Sequence, residues 1–225
     1  MRSLLYPEDD RRISLDDFLA RVARLTSGRK VRPVVTPSGQ RARGNFPSIR
    51  ARDRARFESL VERDVLRVLE MSSMVRSIAT HPFVLDLSAD GQRLDYTPDV
   101  TVETDDSGAL VEAKAAYFMT LPPSRERLRR IVTRLHEEGL RLVIVLDQDV
   151  RPSGFQTELA ELLRQRPLVG RFRPNLDTSV WDPLGTSPVD LDVERRWAAA
   201  QEQCDALLAR VMRRDPDELF EAFAV

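Results

Sequence analysis

Two extended runs that meet at a turn in mid-chain restrict the fold more than any other feature. Residues 93–104 read RLDYTPDVTVET and residues 109–116 read ALVEAKAA, joined by Asp105-Asp106-Ser107-Gly108, a composition that signals a hairpin. A four-residue loop at 105–108 opposes Thr104 to Ala109, Thr101 to Glu112 and Asp99 to Lys114. Side chains alternate along a strand, so Asp99, Glu112 and Lys114 then share one face, and Val100, Val102, Val111 and Ala113 the other. The clean separation supports this register, because a loop one residue longer or shorter would mix the two sets. The chain therefore needs a covering layer on the apolar face of an antiparallel pair.

The flanking segments supply it. Residues 75–87 form a third extended run, and LVIVL at 142–146 is a continuous apolar strand of the kind buried on both faces in a partly parallel sheet. Helical periodicity marks residues 7–27 (with Ser14 as cap), 54–71, 125–138, 155–164, 194–211 and 216–223. The order α-β-β-β-α-β predicts an α/β fold, a three-layer core with a mixed β-sheet flanked by helices. Residues 28–50 read as a loop carrying Arg29, Lys30, Arg32, Arg41, Arg43 and Arg50, either an arm that tracks a DNA backbone or a solvated linker. Residues 166–190 read as a proline-rich linker. The expected organisation is a basic N-terminal helix and arm (1–50), a core (51–168), and a linker with a C-terminal helical appendage (169–225).

Charge sharpens the reading. The net charge is only −1, yet residues 1–60 hold about twice as many basic as acidic side chains while the last stretch leans acidic. A basic front suggests a phosphate-rich partner. Of 35 basic residues only Lys30 and Lys114 are lysines. A chain that writes its positive charge as arginine makes each lysine an exception, and a compact ammonium does what a planar guanidinium does not. The single Cys204 excludes an internal disulfide and a cysteine-built metal site. No apolar run is long enough to span a membrane and no signal-peptide pattern opens the chain, so a cytoplasmic protein is expected. Isolated glycines give no phosphate-cradling loop.

The charged hairpin face is where chemistry is expected. Asp99 and Glu112 repel one another unless a cation lies between them, and Mg2+, with Mn2+ able to substitute, suits carboxylate oxygens. Glu62, bordering the buried face of helix 54–71, would complete the cage. Lys114 beside the metal would position or help deprotonate a water and stabilise charge developing on a phosphoryl group. A cross-strand Asp–Lys pair on a solvated sheet is the plain alternative. Pro98 cannot donate to a ladder and so marks a bulge or edge. Pro98-Asp99, followed thirteen residues on by Glu112-Ala113-Lys114, is the PD-(D/E)xK pattern of metal-dependent nucleases.

Four segments together carry a resemblance: Gly44-Asn45-Phe46-Pro47-Ser48, Phe57-Glu58-Ser59-Leu60-Val61-Glu62-Arg63-Asp64, Tyr96-Thr97-Pro98-Asp99 and Val111-Glu112-Ala113-Lys114. Over residues 40–165 the chain resembles the N-terminal catalytic domain of the endonuclease subunit (TnsA) of heteromeric transposases. The resemblance implies a restriction-endonuclease-like fold and cleavage of double-stranded DNA at the 5′ ends of a transposon. It implies metal-binding carboxylates at Glu62, Asp99 and Glu112 and a catalytic lysine at Lys114. The partners it implies are a DDE transposase subunit and an AAA+ regulator. Where that family often has glutamine before the first-strand proline, this chain has His81-Pro82. The same chemistry in a stand-alone nuclease of a phage or mobile element, and a non-catalytic DNA-binding or assembly protein on this scaffold, are the competing expectations. His81 reads as structural more readily than as a metal neighbour, Trp181 and Trp197 as packing or partner anchors, and Gln156 has no assigned role.

Overall fold

The computed structural model describes residues 13–31, 42–89, 91–165 and 191–224, Leu191 by its backbone alone. Ser14 caps the first helix, α1 (Leu15–Leu25), its hydroxyl accepting from the Asp17 N–H. The expected helix 7–27 is thus observed over these residues, and residues 7–12 lie outside the described ones. Residues 28–50 contain a strand, β1 (Gly44–Phe46), which pairs antiparallel with β2 (Ala55–Phe57). The helix expected over 54–71 starts later, as α2 (Leu60–Met71). Its first residues are taken by β2, and Ser59 sets the boundary by accepting from the Glu62 N–H.

The main sheet has the order β3-β6-β7-β8, built from β3 (Ser77–Thr80), β6 (Val100–Glu103), β7 (Gly108–Lys114) and β8 (Leu142–Leu146). The first three strands run antiparallel, and β8 lies parallel to β7, so the sheet is mixed as expected. The extended runs 75–87 and 93–104 are each broken, because β4 (Leu85–Asp86) and β5 (Asp95–Tyr96) leave to form a ribbon of their own.

The hairpin register differs from the expected one. Thr101 lies opposite Leu110, not Glu112, and the ladder closes at Glu103 opposite Gly108. The Thr104 N–H donates to the Ser107 carbonyl (2.9 Å) and the Thr104 hydroxyl accepts from the Ser107 N–H (3.1 Å), so the turn narrows to Asp105-Asp106. Gly108 belongs to the strand, not the turn. A Cβ there would meet Phe18 Cδ1 at 2.2 Å, so α1 needs this glycine to lie on the hairpin. The slip shifts each partner by two positions, which leaves the two faces intact.

Helices cover both faces. Val100, Val102, Val111, Ala113, Val143 and Val145 pack with α2, α6 (Phe155–Gln165) and α7 (Leu191–Arg213). Leu110, Leu142, Ile144 and Leu146 pack with α1, α4 (Pro122–Glu137) and α8 (Pro216–Ala222). β8 is buried on both sides, which its unbroken apolar run demanded. The helices expected as an appendage share these cores. Trp197 and Cys204 of α7 are fully buried against α2 and α6, and Phe220 of α8 is fully buried beside α4. Arg214, after α7, grips buried Asp149 of the short α5 (Asp147–Val150) through both of its terminal nitrogens.

Arg50, expected on a DNA-tracking arm or a solvated linker, is a structural arginine. It is 6% exposed and donates to the carbonyls of Glu70, Ser72 and Val75, fastening the end of α2 to the approach to β3. Arg32 and Arg41 of that arm, the proposed linker 166–190 and Trp181 lie outside the described residues.

Candidate active site

The register of the sheet brings four strand ends to one edge. β3 ends there at Thr80, β6 begins at Val100, and β7 and β8 end at Lys114 and Leu146. The N-terminus of α2 reaches the same edge through Glu62. Pro98 sits at the break between β5 and β6, where no ladder hydrogen bond is asked of it. The chain crosses there from the small ribbon to the main sheet, which leaves Asp99 just ahead of β6.

Glu62 is 7% exposed, and one of its carboxylate oxygens accepts from the Glu58 N–H at 2.7 Å. Asp99 accepts from the Ala113 N–H at 2.8 Å, a contact reaching across to β7. His81 lies with these two. Its Nε2 is 3.4 Å from a Glu62 oxygen and 3.8 Å from an Asp99 oxygen. One ligand atom from each of Glu62, His81 and Asp99 falls within 4.8 Å of the others.

Glu112 stands beside this trio with both oxygens engaged. One accepts from the Tyr96 hydroxyl at 2.9 Å and the other from the Lys114 ammonium at 2.7 Å. The structure thus gathers Glu62 and Asp99 into a possible ligand set, and couples Glu112 to Lys114 next to it.

The electrostatics follow from this crowding. Burial, then Glu112, then Glu62 push the Asp99 carboxyl well above the ordinary aspartate range, against the opposing pull of the Ala113 N–H and Lys114. Burial, Glu112 and Asp99 likewise push the Tyr96 phenol up, so it keeps its proton and donates to Glu112. For Lys114, burial favours losing the proton, but the Glu112 carboxylate outweighs it and the ammonium is held more firmly than usual.

The donor set suits a divalent cation. Two largely buried carboxylates and an imidazole converge, the carboxylate at Asp99 resists ionising in their company, and the ammonium beside them is bound to Glu112. A second group of charges lies around buried Asp64 on α2. Arg63, Arg67 and Arg151 all pair with it, a surplus of positive charge. Gln156 finds its role here, donating to the Asp64 and Val150 carbonyls and accepting from Arg67. Tyr117 of α3 (Ala116–Thr120) is 66% exposed and follows Lys114 by three residues.

Sequence reasoning set His81 aside and passed over Tyr96. The signal for Tyr96 was its place in Tyr96-Thr97-Pro98-Asp99. For His81 it was the position before Pro82 at the end of an extended run. Comparison of the chain with known families finds no matching family model, and no curated protein matches it at a significant level.

Proposed function

We propose that this protein is a divalent-metal-dependent DNA endonuclease on a restriction-endonuclease-like core, acting as the 5′-end-cleaving subunit of a heteromeric transposase. The observation that carries the proposal is the meeting of Glu62 and Asp99 at one sheet edge, with the Glu112–Lys114 pair alongside. Charge of this sign and density is costly in a fold that makes no use of it.

Glu62 and Asp99 would hold the cation, Mg2+ or Mn2+, with Glu112 as the adjoining carboxylate. When bound, such an ion lowers the proton affinity of a water and draws charge from a phosphoryl oxygen. The protein's own groups do the rest. Lys114, kept protonated by Glu112, orients the attacking water and neutralises negative charge as it builds on the phosphorus oxygens. Tyr96 fixes the Glu112 carboxylate, and so the Lys114 ammonium, through its hydroxyl hydrogen bond. In the net reaction water's oxygen joins phosphorus, one P–O ester bond breaks, and the leaving oxygen takes up a proton. The arginines around Asp64, whose positive charge exceeds its single negative one, and the exposed Tyr117 would offer phosphate contacts and a stacking surface to DNA. A DDE transposase subunit and an AAA+ regulator are the partners this reading implies.

The test is incubation of supercoiled plasmid, or a duplex bearing transposon ends with the partner proteins added, with wild type and Asp99→Ala in Mg2+ or Mn2+. Nicking or cutting by wild type that needs the ion and is lost in Asp99→Ala supports the reading. Equal inertness of both proteins, with partners present, overturns it.

A further inference from the structure

His81 differs from every other described non-glycine residue in its backbone. Its φ is +46°, in the left-handed region that a side-chain-bearing residue rarely adopts unless its surroundings impose it. The restraint of Pro82 on the preceding residue makes it rarer still. Such strain persists where a side chain must be aimed, and this one is aimed at Glu62 and Asp99. The side chain is 10% exposed. Its Nδ1 is buried without a hydrogen-bond partner, and its Nε2 faces two carboxylate oxygens at 3.4 and 3.8 Å. An imidazole serving only the fold would normally satisfy its ring nitrogens with hydrogen bonds to the protein. Here one nitrogen is unspent and the other is turned to the acidic pair.

We infer that His81 is a nitrogen ligand of the divalent-cation site, and that the site selects Mn2+ and its borderline transition-metal neighbours over Mg2+. The inference rests on the endonuclease reading for the existence of the site, and adds which ion it takes. Mg2+ prefers an all-oxygen shell and sheds water reluctantly. Imidazole suits first-row transition metals, and affinity for mixed nitrogen and oxygen donors rises from Mn2+ onward along that row. Replacing one oxygen with Nε2 therefore favours Mn2+ at the expense of Mg2+.

The experiment is metal binding to the full chain without DNA. Calorimetry measures Mn2+ and Mg2+ affinities for wild type, His81→Asn and His81→Ala. Electron spin-echo spectroscopy of the bound Mn2+ reads the nitrogen directly. Asparagine tolerates the left-handed backbone, so His81→Asn keeps the fold and removes only the imidazole. Wild type is expected to bind Mn2+ at least about tenfold more tightly than Mg2+ and to show imidazole nitrogen modulation. His81→Asn should lose the modulation and about tenfold in Mn2+ affinity, with Mg2+ affinity changed less than about threefold. If Mn2+ binds wild type with no nitrogen modulation, or with the same affinity as Mg2+, His81 is no ligand, while the carboxylate site and the nuclease reading stand. If wild type binds neither ion, both readings fall together.

Discussion

Asp99→Asn should stabilise the metal-free protein while abolishing its activity. The Glu62 and Asp99 oxygens lie within 4.8 Å of one another, so two full charges repel by about 3.5 kcal/mol at an effective dielectric constant of about 20. The substitution removes one charge and keeps an amide oxygen that can accept from the Ala113 N–H. It also relieves the desolvation of the Asp99 charge and its repulsion from Glu112, and gives up attraction to Lys114, which leaves a net gain of at least about 1–2 kcal/mol. For a chain of this size that is a rise in Tm of roughly 2–8 °C. The pH dependence has a definite sign. Asp99 takes up its proton more readily in the folded state than in the unfolded one, so the wild-type site is unstrained at acid pH. Stability is lost as pH rises from the ordinary aspartate range, near about 4, through the raised value of Asp99. The advantage of Asp99→Asn should therefore be small near pH 4 and widen toward neutrality. Mn2+ should close the gap, adding about 2.7 kcal/mol to wild type at a hundred times its Kd and little to the variant. Thermal unfolding in EDTA and in Mn2+ across this pH range measures all of this. A variant no more stable than wild type in EDTA at neutral pH, or a gap independent of pH, would refute the crowding argument.

Three further outcomes are expected. Lys114→Arg keeps the charge but replaces a compact ammonium that bonds Glu112 at 2.7 Å, and should lower single-turnover cleavage by about a hundredfold; near-wild-type cleavage would show that charge alone suffices. Arg50→Met leaves the Glu70, Ser72 and Val75 carbonyls without their buried donor and should cost about 3–5 kcal/mol in urea unfolding, so a loss below about 1 kcal/mol would remove its structural role. A chain ending at residue 168 exposes the surface that buries Trp197 and Cys204, and should show no cooperative thermal transition. A sharp transition in that fragment would restore the C-terminal helices to the status of an appendage.

The sheet was legible because its signals are local. LVIVL announced a strand buried on both faces, and the alternation around Asp105-Asp106 sorted the hairpin faces correctly although the register was off by two. The slip came from the Thr104–Ser107 pairing and the demand of Phe18 for a bare Gly108, a contact between distant segments. The same distinction holds at the site. Asp99, Glu112 and Lys114 lie near one another in sequence and their shared face follows from strand alternation. His81 reaches Glu62 and Asp99 only because β3 pairs with β6 and its own φ turns positive, and its place before Pro82 does not by itself foretell either. The helix α7 was recognised but misplaced. Its apolar residues Trp197, Ala200, Cys204, Leu208 and Val211 have the spacing of a face that packs, and the proline-rich stretch before it suggested separation where the core continues.

Anomalous diffraction from crystals grown with Mn2+ tests the central claim most directly. The account predicts a single strong peak bounded by the Glu62 and Asp99 carboxylates, next to the Lys114–Glu112 pair, that is lost in Asp99→Ala crystals. Well-ordered wild-type crystals at saturating Mn2+ with no peak at that sheet edge would contradict it.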